Sequence, residues 1–128
     1  FDKAKIEKAS KILADFELRD ITNVQACDLS FGQKRLVELA RNILNYYTVL
    51  VLDEPVAGVN PKIRTKIAEI ISQMKKDGET ILLIEHDMSF TLGISDKVIV
   101  MDAGKIVATG TPAEIRNNPE ILEIYLGK

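Results

Sequence analysis

The sequence lacks three features, and each absence excludes a class of protein. Its single cysteine, Cys27, has no second cysteine with which to form an internal disulfide bond, and we expect it to be a small core residue. The net charge of −2 leaves no basic excess, which argues against nucleic acid as a partner. No apolar run approaches the ~20 residues that a membrane-spanning helix needs, so any link to a membrane is expected to go through a partner.

What remains is the composition of an ordinary globular protein. The 128 residues are 46% hydrophobic and 28% charged, and this length suits one domain. Phe1 is not an initiator methionine, and the residues that follow it resemble the interior of an amphipathic helix. We therefore expect the chain to be the later part of a longer protein.

The most informative stretch is an apolar run that ends in two acids. Residues 48–52 are all β-branched or leucine, a pattern typical of a strand that is buried on both faces of a parallel sheet. Asp53 and Glu54 follow at once. Ligands of open α/β sheets bind outside the carboxyl ends of the strands, where paired acids can hold a metal ion and orient water. A solvated strand end before a turn is the simpler interpretation.

A second strand with a polar end follows one helix later. Asn60 and Pro61 predict the start of a helix that runs to about residue 76, and residues 80–84 form the next apolar strand before Glu85, His86 and Asp87. A strand–helix–strand unit has a right-handed crossover and parallel strands, so both polar clusters should lie at one edge of the sheet. Further elements are predicted over residues 4–16, 88–94, 97–101 and 105–108, with two last helices from Thr111 and Asn118.

The pair Ser30 and Gln33 predicts a third polar feature, a capped helix start. Their spacing is that of a capping box, and an apolar stripe follows along the helix. A helix N-terminus with a serine hydroxyl and the small Gly32 could bind an anion such as phosphate. A well-capped structural helix explains the same residues equally well.

Taken together and in order, these residues resemble the nucleotide-binding subunits of ATP-binding cassette (ABC) transporters. The run L-S-F-G-Q is similar to the family's signature loop, V-L-V-L-D-E-P to its Walker B strand, A-G-V-N-P to its D-loop and E-H-D to its switch segment. The tail, with G-T-P-A-E-I-R-N-N-P and Y-L-G, resembles the subunits of branched-chain amino acid importers. The resemblance implies an incomplete P-loop NTPase-like α/β fold, with residues 1–45 in a helical signature subdomain and 46–128 in the later part of a RecA-like core.

The resemblance also implies roles for individual residues. Glu54 would be the general base or would orient the attacking water, Asp53 would hold Mg²⁺ through water, and His86 would contact the γ-phosphate of ATP. The signature loop would bind ATP held by a second nucleotide-binding subunit, through Ser30 and Gly32 with Leu29, Phe31, Gln33 and Asn60 around them. The other implied partners are integral-membrane permease subunits, which would place the protein at the cytoplasmic face of the cell membrane.

Two departures from the family's pattern limit these expectations. Asn60 stands where the family's D-loop usually has an acid. No G-x-x-x-x-G-K-[ST] segment occurs, so these residues supply no backbone cradle or lysine for the β- and γ-phosphates. We therefore expect the 128 residues alone neither to bind ATP tightly nor to hydrolyse it, and we expect the unpartnered strands to expose apolar side chains.

Three other functions are compatible with parts of this pattern. The chain could belong to an ABC ATPase that does not serve transport, although no coiled-coil insertion or tandem cassette is seen. It could be a metal-dependent hydrolase that uses Asp53, Glu54, His86 and Asp87, although the chain contains a single histidine. It could also act as a non-catalytic interaction module.

Overall fold

The computed structural model describes residues 2–126, which divide into two compact units at Ile84. The first unit contains three helices and two strands, which are α1 (Lys3–Asp15), α2 (Phe31–Leu44), β1 (Leu50–Asp53), α3 (Pro61–Lys76) and β2 (Ile81–Ile84). The second contains α4 (Met88–Ile94), β3 (Val98–Asp102), β4 (Lys105–Gly110), α5 (Pro112–Arg116) and α6 (Pro119–Leu126). The predicted division near residue 45 stays a prediction.

The helices of the first unit begin where the local sequence predicts. Ser30 caps α2, and Asn60 caps α3 with Pro61 in its first turn. The apolar stripe of α3 is buried, with Ile67 only 1% exposed. Between α1 and α2 the chain forms two short 3₁₀ turns, Arg19–Ile21 and Ala26–Asp28. The apolar side chains buried in this unit are those of Ile12, Phe16, Leu18, Leu36, Leu39, Ala40, Leu50, Leu52, Val56, Ile67, Ile70, Ile71 and Met74.

The two strands of the first unit form the predicted parallel pair. Their register places Leu50 opposite Ile81 and Asp53 opposite Ile84. Because the two strands are parallel, β1 and β2 end at the same edge of this small sheet, and α3 connects them. The parallel arrangement predicted from the strand–helix–strand pattern is confirmed.

β1 is buried on one face and not on both, and the expectation that the unpartnered strands expose apolar side chains is confirmed. Leu50 and Leu52 are buried, whereas Val51 is 54% exposed. On β2 the side chains of Leu82 and Ile84 are 51% and 49% exposed. One face of the sheet therefore packs inside the unit while the other presents apolar side chains, as expected for strands whose second covering layer is not supplied by these residues.

The second unit has a small core of its own between a hairpin and the last helices. β3 and β4 pair antiparallel, and Ala103 and Gly104 make the turn with positive φ values of 46° and 78°. The sequence predicted elements over residues 97–101 and 105–108, which correspond to these two strands. Four buried side chains form the centre of the core, those of Val98, Val100, Ile115 and Ile121.

The single cysteine does not lie in the core. Cys27 is exposed in the second 3₁₀ turn, and its sulfur lies 3.6 Å from Oε1 of Gln25. The expectation of a buried cysteine is therefore wrong. The expectation was based on cysteine being a residue type that is often buried. Cys27 is exposed because it lies in a polar turn at the surface.

Candidate functional site

Two carboxylates lie at the carboxyl edge of the parallel sheet, as predicted. Asp53 is the last residue of β1, and Glu54 follows it, with both residues exposed. The Glu54 N–H donates to the carbonyl oxygen of Ile84 at 2.8 Å, which extends the β1–β2 pairing by one further bond. The sheet thus fixes the backbone of both acids at an edge open to solvent, the place where α/β sheets bind ligands.

The backbone of Glu54 has an unusual conformation. Its φ is +47°, in the left-handed region that non-glycine residues adopt at a cost of about 1–3 kcal/mol. The turn that follows is closed by hydrogen bonds from Ala57 N–H to the Glu54 carbonyl at 3.2 Å and from Val59 N–H to the Val56 carbonyl at 3.3 Å. Strain of this kind at a strand end redirects the chain sharply and is common at functional sites.

The start of α2 forms the predicted capping box in full. The Gln33 N–H donates to Oγ of Ser30 at 3.2 Å, and the Ser30 N–H donates to Oε1 of Gln33 at 2.9 Å. Ser30 is exposed, and a hydroxyl that accepts one hydrogen bond still carries a proton that it can donate. Leu29 is half-buried just before the cap. The arrangement can present a hydroxyl and a positive helix end to an anion.

Asn60 caps α3 in a similar way. Its Oδ1 atom accepts a hydrogen bond from the Ile63 N–H at 2.9 Å. This use of the side chain explains an uncharged residue at a position where the family usually has an acid, since both amide and carboxylate oxygens are good caps.

The absent side chain of Gly32 serves packing within the unit. A Cβ atom on Gly32 would lie 2.7 Å from Cγ1 of Ile63, closer than two carbon atoms can approach. The sequence suggested that this glycine keeps an anion site clear, and its binding role stays a prediction. Its packing role went unnoticed because Ile63 is distant in sequence and belongs to the next helix.

The switch segment begins the second unit. His86 follows β2 by two residues, and its imidazole is 75% exposed, whereas the neighbouring Glu85 side chain is 1% exposed. Nδ1 of His86 lies 4.0 Å from Oε2 of Glu85. The approach of His86 to the two carboxylates of the first unit stays a prediction.

Asp87 has a structural role in the second unit. Its Oδ1 atom accepts hydrogen bonds from the Phe90 N–H at 3.0 Å and from the Ser89 hydroxyl at 2.9 Å, which caps α4. Across residues 2–126 no three acidic, histidine or cysteine side chains are grouped so that they could hold a metal ion by themselves. Neither observation favours the metal-dependent hydrolase.

Comparisons with known proteins find similarity to ATP-binding cassettes. Residues 2–57 match the family model described as ABC transporter, and residues 105–128 match the one described as branched-chain amino acid ATP-binding cassette transporter. The chain is 42% identical over 124 residues to the high-affinity branched-chain amino acid transport ATP-binding protein LivG of Salmonella typhimurium. Over these residues the chain resembles the ATP-binding cassette family. It is also 38% identical over 128 residues to BraF of Pseudomonas aeruginosa, which carries the same description.

Solved structures show that the fold is that of an ABC cassette. The chain superposes on the ADP conformation of MJ1267, an ATP-binding cassette of an ABC transporter, with a TM-score of 0.86 and 34% identity over 100% of its length. A nucleotide-free cassette from an ABC transporter gives a TM-score of 0.84 at 36% identity. The chain spans 52% of each of those structures, 49% of LivG and 50% of BraF. It therefore contains about half of an ABC cassette.

Proposed function

We propose that this chain forms part of an ATP-hydrolysing subunit that energises the uptake of branched-chain amino acids through a membrane permease. The observation that carries the proposal is the edge of the parallel sheet, where β1 delivers Asp53 and the strained Glu54 side by side. The match of residues 105–128 to the branched-chain amino acid family supports this cargo over the lipopolysaccharide of the export protein LptB of Haemophilus influenzae, at 34% identity.

The acids at the sheet edge fit Mg²⁺ and water. Mg²⁺ is usually bound by one or two carboxylates together with waters and substrate phosphates, and Asp53 offers an exposed carboxylate at a fixed strand end. When bound, the ion neutralises charge that develops on the phosphates. Glu54, turned by its left-handed backbone, accepts a hydrogen bond from the attacking water and orients it. His86, which follows β2, donates a hydrogen bond to the γ-phosphate.

The start of α2 serves a different nucleotide. Ser30 and Gly32 bind the γ-phosphate of ATP held by a second subunit, with the helix N-terminus contributing backbone N–H groups. Leu29, Phe31, Gln33 and Asn60 form the surroundings of this half-site. Each subunit thus supplies one half of two composite sites, so ATP hydrolysis requires a dimer.

The remaining partners follow from the transport role. Across residues 2–126 no helix has both the length and the apolar character needed to cross a bilayer. Permease subunits form the membrane path, and the ATPase binds them at the cytoplasmic face of the membrane. Nucleic acid has no part in this function.

The proposal is tested by Glu54→Gln in a protein that carries these residues together with a phosphate-binding loop. The amide keeps the size of the side chain but accepts a proton poorly, so ATP turnover should fall at least 100-fold while ATP binding and ATP-driven dimerisation persist. Phosphate release and analytical ultracentrifugation measure the two properties. Glu7→Gln, on the exposed surface of α1, is the matched control and should retain full turnover. Turnover that survives in Glu54→Gln removes Glu54 from this role.

A further inference from the structure

The first turn of α2 and the loop before α3 interlock at two points. Gly32 receives the side chain of Ile63, as described above. One residue earlier, the ring of Phe31 lies against Gly58, because a Cβ atom on Gly58 would be 3.4 Å from Cε1 of the ring. The contacts join residues 31–32 to residues 58–63, two segments that the proposed function places around the same nucleotide.

The loop side of this contact admits only glycine without strain. Gly58 has φ +70°, a conformation that L side chains rarely adopt, and it stands in the turn that leads from Glu54 to Asn60. A Cβ atom at this position would be in ordinary van der Waals contact with the ring of Phe31. The ring therefore packs against the middle of the loop whose two ends carry the candidate catalytic acid and the cap of α3.

The ring also contacts a residue of its own helix. The guanidinium carbon of Arg35, one turn along α2, lies 5.2 Å from the centroid of the Phe31 ring, within the range of a cation–π contact. Arg35 in turn pairs with Glu38 at 3.1 Å. Phe31 is nevertheless 53% exposed, so hydrophobic burial alone does not explain an aromatic residue in the first turn of this helix.

We propose that Phe31 is a positioning residue that fixes the loop of residues 54–60 relative to the start of α2. Ile63 completes the connection, since its N–H is bound by Asn60 while its side chain fills the place at Gly32. These contacts fix the position of Ser30 relative to Asn60, so that both residues can face the nucleotide bound by the partner subunit. The inference rests on the proposed function and adds to it a residue that acts through the loop rather than on the phosphate.

The test compares Phe31→Leu and Phe31→Tyr in the ATPase that carries these residues. Leucine keeps apolar bulk but removes the flat ring and the cation–π contact, whereas tyrosine keeps both. We expect Phe31→Leu to lower kcat about tenfold with little change in KM for ATP. We expect Phe31→Tyr to have a kcat close to that of the wild type. Hydrogen exchange at the Ala57 and Val59 amides, which close the loop, should accelerate about tenfold in Phe31→Leu alone.

Tyr46→Leu is the matched control, because it removes an aromatic ring that is 98% exposed beyond the other end of α2. It should change neither kcat nor the exchange of the two loop amides. A wild-type protein without ATP turnover would contradict the proposed function itself. Full activity of Phe31→Leu in an active wild-type background would overturn the inference about Phe31.

Two further outcomes also decide against a positioning role. A loss of kcat with unchanged exchange at Ala57 and Val59 would mean that Phe31 acts on the nucleotide directly, as the signature resemblance implies. A raised KM with unchanged kcat would mean that the ring contributes only to ground-state binding.

Discussion

At the scale of single residues, Tyr47 and Glu79 form a contact that makes stability depend on pH. Burial raises the pKa of the Tyr47 hydroxyl above its usual value, and the charge of Glu79 and a hydrogen bond to its carboxylate raise this pKa further. The two residues stand just before β1 and β2, the strands that pair in the first unit. The contact therefore lies at the edge of the small parallel sheet where both strands begin.

The direction of the pKa shift gives a prediction. A tyrosine whose folded-state pKa lies above its unfolded value of about 10 stabilises the fold fully below pH 10, and this contribution is lost as the pH rises through the folded-state pKa. Tyr47→Phe should lower the free energy of unfolding by less than about 1 kcal/mol at pH 7, because it removes one solvated hydrogen bond. Urea titrations should then show a shallower fall in stability above pH 10 than in the wild type.

Tyr46→Phe serves as the control for this experiment. Its side chain is 98% exposed, so the variant should reproduce the wild-type pH profile. Identical profiles for Tyr47→Phe and the wild type would show that Tyr47 does not titrate differently in the folded state.

Residues whose roles are local could be predicted from the sequence, and those whose roles depend on distant contacts could not. Ser30 and Gln33 cap α2 across three residues, and the structure has both predicted hydrogen bonds. The role of Gly32, by contrast, is set by Ile63, which lies 31 positions later and meets it only after two helices pack. The exposure of Cys27 could not be predicted either, because it depends on the turn in which the residue lies and not on the residue type alone.

At the scale of elements, the sequence predicted the strands of the first unit with small errors in their first and last residues. The burial of their two faces differs more from the prediction. The run of residues 48–52 predicted a strand, and the ladder occupies Leu50–Asp53 instead, because pairing begins only where β2 can supply partners. An all-apolar sequence indicates burial on both faces in the complete fold. The side that Val51 and Leu82 present is more than half exposed in this chain.

This exposed sheet face predicts self-association of the 128-residue chain. Burying the remaining area of four such side chains stabilises a contact by about 1 kcal/mol each, since a full valine or leucine contributes about 1.5–3 kcal/mol and half is already covered. The four are Val49, Val51, Leu82 and Ile84. The double variant Val51→Thr/Leu82→Thr places a β-branched side chain at both positions while reducing apolar area, and it should weaken association at least tenfold.

Sedimentation velocity over a range of concentrations measures this effect. Val24→Thr is the matched control, because Val24 is 42% exposed but lies between the 3₁₀ turns, away from the strands. It should associate as the wild type does. A wild-type chain that stays monomeric at the highest concentration, with a cooperative unfolding transition, would contradict the prediction.

At the scale of the whole molecule, the chain spans about half the length of the relatives that it matches. The order of its motifs was sufficient to predict the family, because strand-end acids, a capped helix and a histidine segment rarely occur together at these spacings. The approach of His86 to Glu54 stays a prediction, because it depends on how the segment after β2 is placed and not on a local pattern.

The chain carries the two acids but lacks a phosphate-binding loop, and this combination predicts how fast it can hydrolyse ATP. Asp53 and Glu54 can orient water and a metal ion, but nothing in the 128 residues resembles the glycine-rich loop and lysine that hold the β- and γ-phosphates. Phosphoryl transfer depends mainly on positioning the phosphates, so the purified chain should release phosphate from ATP no faster than its own Glu54→Gln variant. Joining the first half of LivG to the chain should create turnover that Glu54→Gln abolishes. Phosphate release by the unjoined chain that disappears in Glu54→Gln would show that these residues hold the triphosphate without the missing loop, and would contradict the prediction.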